Sequence, residues 1–173
     1  MNAYRMNPYT TKILLTCSLV LLMASCGRRY DVGDYYRSGT VSGVVVQLDD
    51  EGMPSLVLSL ADTAHLNAEA ALRWAETLQP AGQWRLPTIE EWKQMARNKA
   101  KINATLGKQR SAAIVAADTW YWSCTGADGQ RIASSAVPTR VYAYGPLQAQ
   151  VYFYDNASPR YVARAVCPVN SAE

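Results

Sequence analysis

The sequence predicts an α+β domain on three observations. Two β-branched and apolar runs separated by a turn come first, Val41 to Leu48 and Ser55 to Leu60. Two capped amphipathic helical stretches follow, one starting at Asn67 and one at Thr88. From Trp120 onward the chain turns to short runs rich in aromatic and β-branched residues, which read as strands.

Ahead of the domain, residues 1–25 read as a signal peptide. Arg5 and Lys12 precede the apolar run Ile13 to Met23, which is too short to span a bilayer comfortably, and Ala24-Ser25 supply small residues at a cleavage point. Met23-Ala24-Ser25-Cys26 resembles a bacterial lipobox. That resemblance implies that Cys26 is lipidated and becomes the new N-terminus. An ordinary cleaved signal or an uncleaved anchor would leave Cys26 without a reason. Gly27 stands after the cysteine where an aspartate would signal otherwise, so the expected place is the outer membrane, with its periplasmic or outward face left open.

Residues 26–39 are polar, glycine-containing and aperiodic, and are expected to be a flexible tether. The folded domain is expected over residues 40–173. Losing the leader removes Arg5 and Lys12 and no acidic group, so the formal charge falls from +3 by two, to +1. Near-neutral charge leaves no electrostatic case for a nucleic-acid partner. The expected partners are the membrane, through the lipid, and a polysaccharide or protein ligand.

Within the domain, Asp49-Asp50-Glu51-Gly52 is a turn that makes the first two runs a hairpin. Asn67 caps a helix through about Leu78, in which Ala71, Trp74, Ala75 and Leu78 form one stripe and Glu69 pairs with Arg73. Pro80 and Gly82 end it. Thr88-Ile89-Glu90-Glu91 is a capping box, after which Trp92, Met95 and Ala96 face inward. Lys99 to Asp118 has a basic half and an alanine-rich half and reads as a helical turn or a long loop. The late strands are Trp120 to Thr125, Thr139 to Tyr144, Ala149 to Tyr154 and Tyr161 to Cys167, with Gly145-Pro146-Leu147-Gln148 joining the middle two.

With Cys17 lost in the leader and Cys26 lipidated, Cys124 and Cys167 remain as an even pair in an oxidising compartment. A bridge is expected. Closing a loop between positions 43 apart in sequence, it would contribute roughly 4 kcal/mol on the chain-entropy model. Two buried thiols or a redox pair are the alternatives. No zinc pattern exists with His65 as the single histidine, and there is no GxSxG, HExxH or phosphate-cradling glycine loop. Neither a cofactor nor a metal is expected.

Gly82, then Trp84-Arg85-Leu86-Pro87-Thr88 with Glu91 and Trp92, then Tyr121-Trp122-Ser123 with Thr125, and last Ala163-Arg164-Ala165-Val166-Cys167 together resemble two bacterial domain families. One is related to the C-terminal part of a collagen-like adhesin, and the other is the Fibrobacter major paralogous domains. Both belong to the C-type-lectin-like, formylglycine-generating-enzyme-like superfold. The resemblance covers His65 to Cys167. It implies two helices packed on a twisted antiparallel sheet with long loops, the Trp-Arg-Leu-Pro turn crossing between the helices, and Trp84 and Leu86 as plugs. A guanidinium near a core needs a partner, so Arg85 is expected to meet strand carbonyls or an acid. Gly82, Trp84, Arg85, Leu86, Pro87, Thr88, Glu91, Trp92 and Trp122 are therefore read as a structural motif, with contact of Arg85 or Glu91 to a ligand as the alternative. The family commonly has serine at the position of Cys124, and the neighbouring strands of the superfold would let Cys124 face Cys167.

Three function classes follow. An enzyme is disfavoured, because the formylglycine-generating enzymes that share Arg85-Leu86-Pro87-Thr88 and Glu91-Trp92 need a closely spaced cysteine pair near the C-terminus. A binding module fits relatives that act in adhesion. Tyr142, Tyr144, Tyr152 and Tyr154 would then be a stacking platform for sugar rings or a protein hot spot, or would simply cover the sheet. Calcium-dependent sugar binding is disfavoured, because the EPN, QPD and WND triplets of C-type lectins are missing. A structural or assembly subunit of an envelope complex is the third class.

Overall fold

A computed structural model describes residues 29–109, 119–126, 128–132, 140–145, 150–155 and 160–169. The leader, Cys26, much of the segments 99–118 and 126–138, and the turn at 146–149 lie wholly or partly outside the described residues.

Among the described residues, seven strands form one sheet: β1 (Tyr35–Ser38), β2 (Val41–Leu48), β3 (Pro54–Leu66), β4 (Tyr121–Trp122), β5 (Arg140–Gly145), β6 (Gln150–Asp155) and β7 (Tyr161–Pro168). Their spatial order is β1-β2-β3-β7-β4-β5-β6. The fold is α+β, as the sequence predicts. The sheet, however, is mixed: β4 runs parallel to β7, with Tyr121 opposite Val162, while the other pairings are antiparallel. A parallel pair needs a long connection. Here β5, β6 and the segments between them supply it, because the chain visits the far edge before returning as β7.

Three helices are described, α1 (Ala68–Thr77), α2 (Ile89–Arg97) and α3 (Lys99–Lys108). Asn67 Oδ1 accepts from the Ala70 amide at 2.9 Å, which caps α1. Arg73 pairs with Glu69, as expected. The first half of the segment read as a helical turn or long loop is α3, which buries Ile102 and Leu106 and leaves Lys99, Lys101 and Lys108 exposed. Two apolar residues at i and i+4 are a thin stripe, so the helix depends on packing rather than on its own pattern.

The helices cover both faces of the sheet. On β7, Ala163, Ala165 and Cys167 join α1, Trp84, Leu86 and Trp122 in one apolar cluster. Val166 joins α2 and α3 through Ile89, Trp92, Met95, Ile102 and Leu106 in the other. Side chains alternate across a strand, so the two clusters lie on opposite sides of β7.

Two further differences concern the edges of the expected elements. Within the expected tether over 26–39, Tyr35–Ser38 pairs with β2 through the two-residue turn Gly39-Thr40, and Gly39 has φ +54°. Just before it, the Gly33 amide donates to Val45 O, and Gly33 O accepts from the Thr105 hydroxyl at 2.6 Å. Gly33 has φ +102°, and a Cβ there would lie 2.7 Å from that of Lys101, so only glycine fits. The second difference is in β3, which continues six residues past Leu60, with a register shift between Leu58 and Asp62. At that irregularity the buried Arg164 guanidinium donates to Ser59 O at 3.1 Å and to Asp62 Oδ2 at 2.6 Å. A fully buried charge persists only when paired and hydrogen-bonded, and the bulge supplies both.

Candidate functional site

The stretch from Gly82 to Trp92 carries the chain from the α1 face of the sheet to the α2 face. Gly82 turns the chain at φ +78°. Trp84 is buried, and its indole donates to Gln79 O at 2.7 Å. Arg85 then forms an antiparallel bridge with Val166: its amide donates to Val166 O at 3.0 Å, and its carbonyl accepts from the Val166 amide at 2.7 Å. Two residues on, Pro87 O accepts from the Cys124 amide at 2.9 Å. Strands β4 and β7 pair only at Tyr121 and Val162. Beyond that point the Trp-Arg-Leu-Pro segment occupies the space between Cys124 and β7 and passes through the sheet there.

The capping box at Thr88 is formed in both directions. Thr88 Oγ1 accepts from the Glu91 amide at 3.2 Å, and Glu91 Oε2 accepts from the Thr88 amide at 2.8 Å. The same carboxylate takes a two-pronged ion pair from Arg85, with Nη1 at 2.7 Å and Nη2 at 2.6 Å. Nη1 also reaches Leu86 O at 3.1 Å. Burial opposes the charge on Glu91, but the bonds and charge of Arg85 and the bonds of Thr88 outweigh it and hold the carboxyl below its ordinary range. Burial likewise opposes the charge on Arg85, and Glu91 outweighs it, so the guanidinium titrates above its usual value. Arg85 therefore has the acidic partner expected of it.

Trp92 and Trp122 anchor the two faces. The Trp92 indole donates to Trp122 O at 3.1 Å, and its ring stacks 6.2 Å from Tyr144 at 5°. The Trp122 indole donates to Leu66 O at 2.7 Å, and its ring lies 5.0 Å from that of Tyr161. All nine residues of the expected structural motif thus belong to one connected corner.

The expected disulfide is not formed. Cys124 and Cys167 are both free and buried. Expectation placed them on adjacent strands, but the Arg85 to Pro87 segment lies between: Cys124 Sγ donates to Leu86 O at 2.9 Å, while Cys167 Sγ donates to Pro168 O at 3.4 Å. Burial pushes the Cys124 thiol up to about 11 and also raises that of Cys167.

Of the four candidate tyrosines, Tyr142 and Tyr144 are on β5, at register positions opposite Phe153 and Val151, and Tyr152 and Tyr154 are on β6, at register positions opposite Ala143 and Val141. Tyr144 is also buried against Trp92 and so cannot stack on a ligand.

Beside the corner opens a cleft of about 780 Å³. Tyr36 and Ser38 of β1, Gln83, Arg85, Arg131 and Glu76 contribute to its wall. Sequence reading did not single out Tyr36, Gln83 or Arg131. They come together only because β1 joins the sheet and because Arg131 pairs with Thr125 across a turn. A cleft of this volume, with aromatic, amide, hydroxyl and both charge types in its wall, is chemically suited to hold a polar organic ligand.

No family model matches the chain, and no curated protein matches it.

Proposed function

We propose that this chain is a lipid-anchored outer-membrane protein whose domain is a non-catalytic, C-type-lectin-like module that binds a polysaccharide or protein partner. The leader and Cys26 support the anchor. Support for the fold reading comes from the way the residues that carry the resemblance, from Gly82 to Trp92, Tyr121 to Thr125 and Ala163 to Cys167, meet around the Arg85 to Val166 bridge. The cleft of about 780 Å³ beside that corner carries the binding reading. Its wall joins Tyr36, Gln83 and Arg131, while the buried corner below holds the floor rigid.

The test is titration of the intact protein against polysaccharide and peptide panels, with Gln83→Ala and Arg131→Ala as variants. Both side chains are exposed, so unfolding temperature should stay within about 2 °C of the parent, since surface changes are usually within 0.5 kcal/mol. Affinity should fall roughly tenfold for a lost charged hydrogen bond. Unchanged affinity in both variants would remove the cleft from the reading. For the anchor, Cys26→Ala should release the protein from the membrane fraction.

A further inference from the structure

We infer that the outer edge of β6 is a self-association surface, on which a second copy of this chain pairs antiparallel with the twofold axis at Phe153. Strand β6 ends the sheet, and among the described residues no strand pairs with its far side. The direction of its backbone groups follows from its neighbours. Tyr142 O accepts from the Ser123 amide, and the Tyr142 amide donates to Thr125 O, so Tyr142 turns its peptide groups toward the β4 segment. Alternation then turns Val141, Ala143 and Gly145 toward β6, where their register mates are Tyr154, Tyr152 and Gln150. Val151, Phe153 and Asp155 are left with amides and carbonyls facing outward.

An edge of this kind invites pairing unless it is guarded, and among the described residues β6 carries none of the usual guards. Its sequence QVYFYD has no proline, no lysine and one charge, at its last residue. The ladder with β5 runs six residues without a register shift, so no bulge twists it away. The opposite edge of the sheet is different, since β1 has four residues with a charged Arg37 in the middle.

The choice of a second copy over an unrelated strand rests on self-complementarity. Outward residues must pair with outward residues, and the twofold antiparallel register that uses all three on each strand centres on Phe153 and places Val151 opposite Asp155. The single charge of each strand meets an uncharged residue, so no like charges face each other. A six-residue ladder is a small contact, so the dimer should be weak and concentration-dependent.

The full chain purified in detergent, followed by sedimentation over about 1–100 µM, should move from the monomer toward twice its mass, as a small interface predicts. Phe153→Pro deletes an outward amide without touching the β5 ladder and should weaken the dimer at least tenfold. Mild oxidation supplies a readout that does not depend on that variant folding. Phe153→Cys places two sulfurs at the axis and should cross-link. Val151→Cys sets them four strand residues apart, roughly 13 Å, beyond disulfide reach, and should stay at the level of the parent chain. A chain that remains monomeric throughout, or cross-linking no greater for Phe153→Cys than for Val151→Cys, would overturn the inference. Ligand titration at the cleft is unaffected by either result, so the two readings fail separately.

Discussion

Arg85 and Glu91 lie six residues apart and are joined by two parallel hydrogen bonds of 2.7 and 2.6 Å, on a carboxylate that also closes the Thr88 capping box. One side chain thus ties the sheet-crossing segment to the helix that follows it. Both side chains are largely screened from water, at 20% and 16% exposure. Breaking one partner leaves the other charge poorly compensated.

Glu91→Gln should therefore cost about 2–3 kcal/mol at neutral pH, somewhat less than a fully buried pair. Arg85→Lys should cost less than Arg85→Ala, because it keeps the charge but loses the fork. The pH dependence has a defined sign. The folded pKa of Glu91 is depressed below its ordinary 4.5, so its contribution is fully present above that value and is lost as pH falls through the folded pKa. The gap in stability between parent and Glu91→Gln, measured by urea unfolding, should be wide at pH 7 and should narrow below about pH 4. A gap of the same size at pH 3 would show that the carboxylate charge is not what holds the corner.

The two late cysteines should behave as inert core residues. With its thiol pushed up to about 11 by burial, Cys124 has almost no thiolate at pH 8. Alkylation of the native protein followed by intact mass should leave Cys124 and Cys167 unmodified, and denaturant should make both react. A mass two units low without reductant would mean that the sulfurs are bridged after all. Thiol-to-serine replacement at Cys124 should cost about 1–2 kcal/mol, because a more polar group would enter a fully buried site.

Trp92→Phe should destabilise by about 1–3 kcal/mol, since the Trp122 carbonyl loses its buried donor at 3.1 Å. Trp92→Ala should cost about 3–5 kcal/mol through the cavity it leaves. Thermal unfolding read by tyrosine absorbance would separate the two. Equal losses would mean that the indole N–H carries the effect and the ring volume does not.

Gly43→Ala should cost about 1–3 kcal/mol or abolish folding, as overpacking does. A Cβ built there would lie 2.1 Å from Leu58 O and 2.5 Å from Val57 Cγ1, where β2 and β3 approach most closely. Gly52→Ala is the matched control: its site is open, and its only strain is φ +79°. Expression yield and unfolding midpoint of the two variants should differ clearly.

The sequence alone determined whatever is decided within a few residues. The caps at Asn67 and Thr88 act on amides three positions away, and the Glu69 to Arg73 pair spans one turn, so all three were legible. The late strands showed themselves by alternation and β-branching. Local periodicity does not, however, say which strand neighbours which. Only the tertiary structure decided that β7 lies between β3 and β4, and that the Trp-Arg-Leu-Pro segment separates Cys124 from Cys167. The same holds for Arg164, which sits at zero exposure only because Asp62, 102 residues earlier, is brought to it by a bulge. Pairings of that range depend on where the chain closes its long loops, and no short window of sequence carries that information.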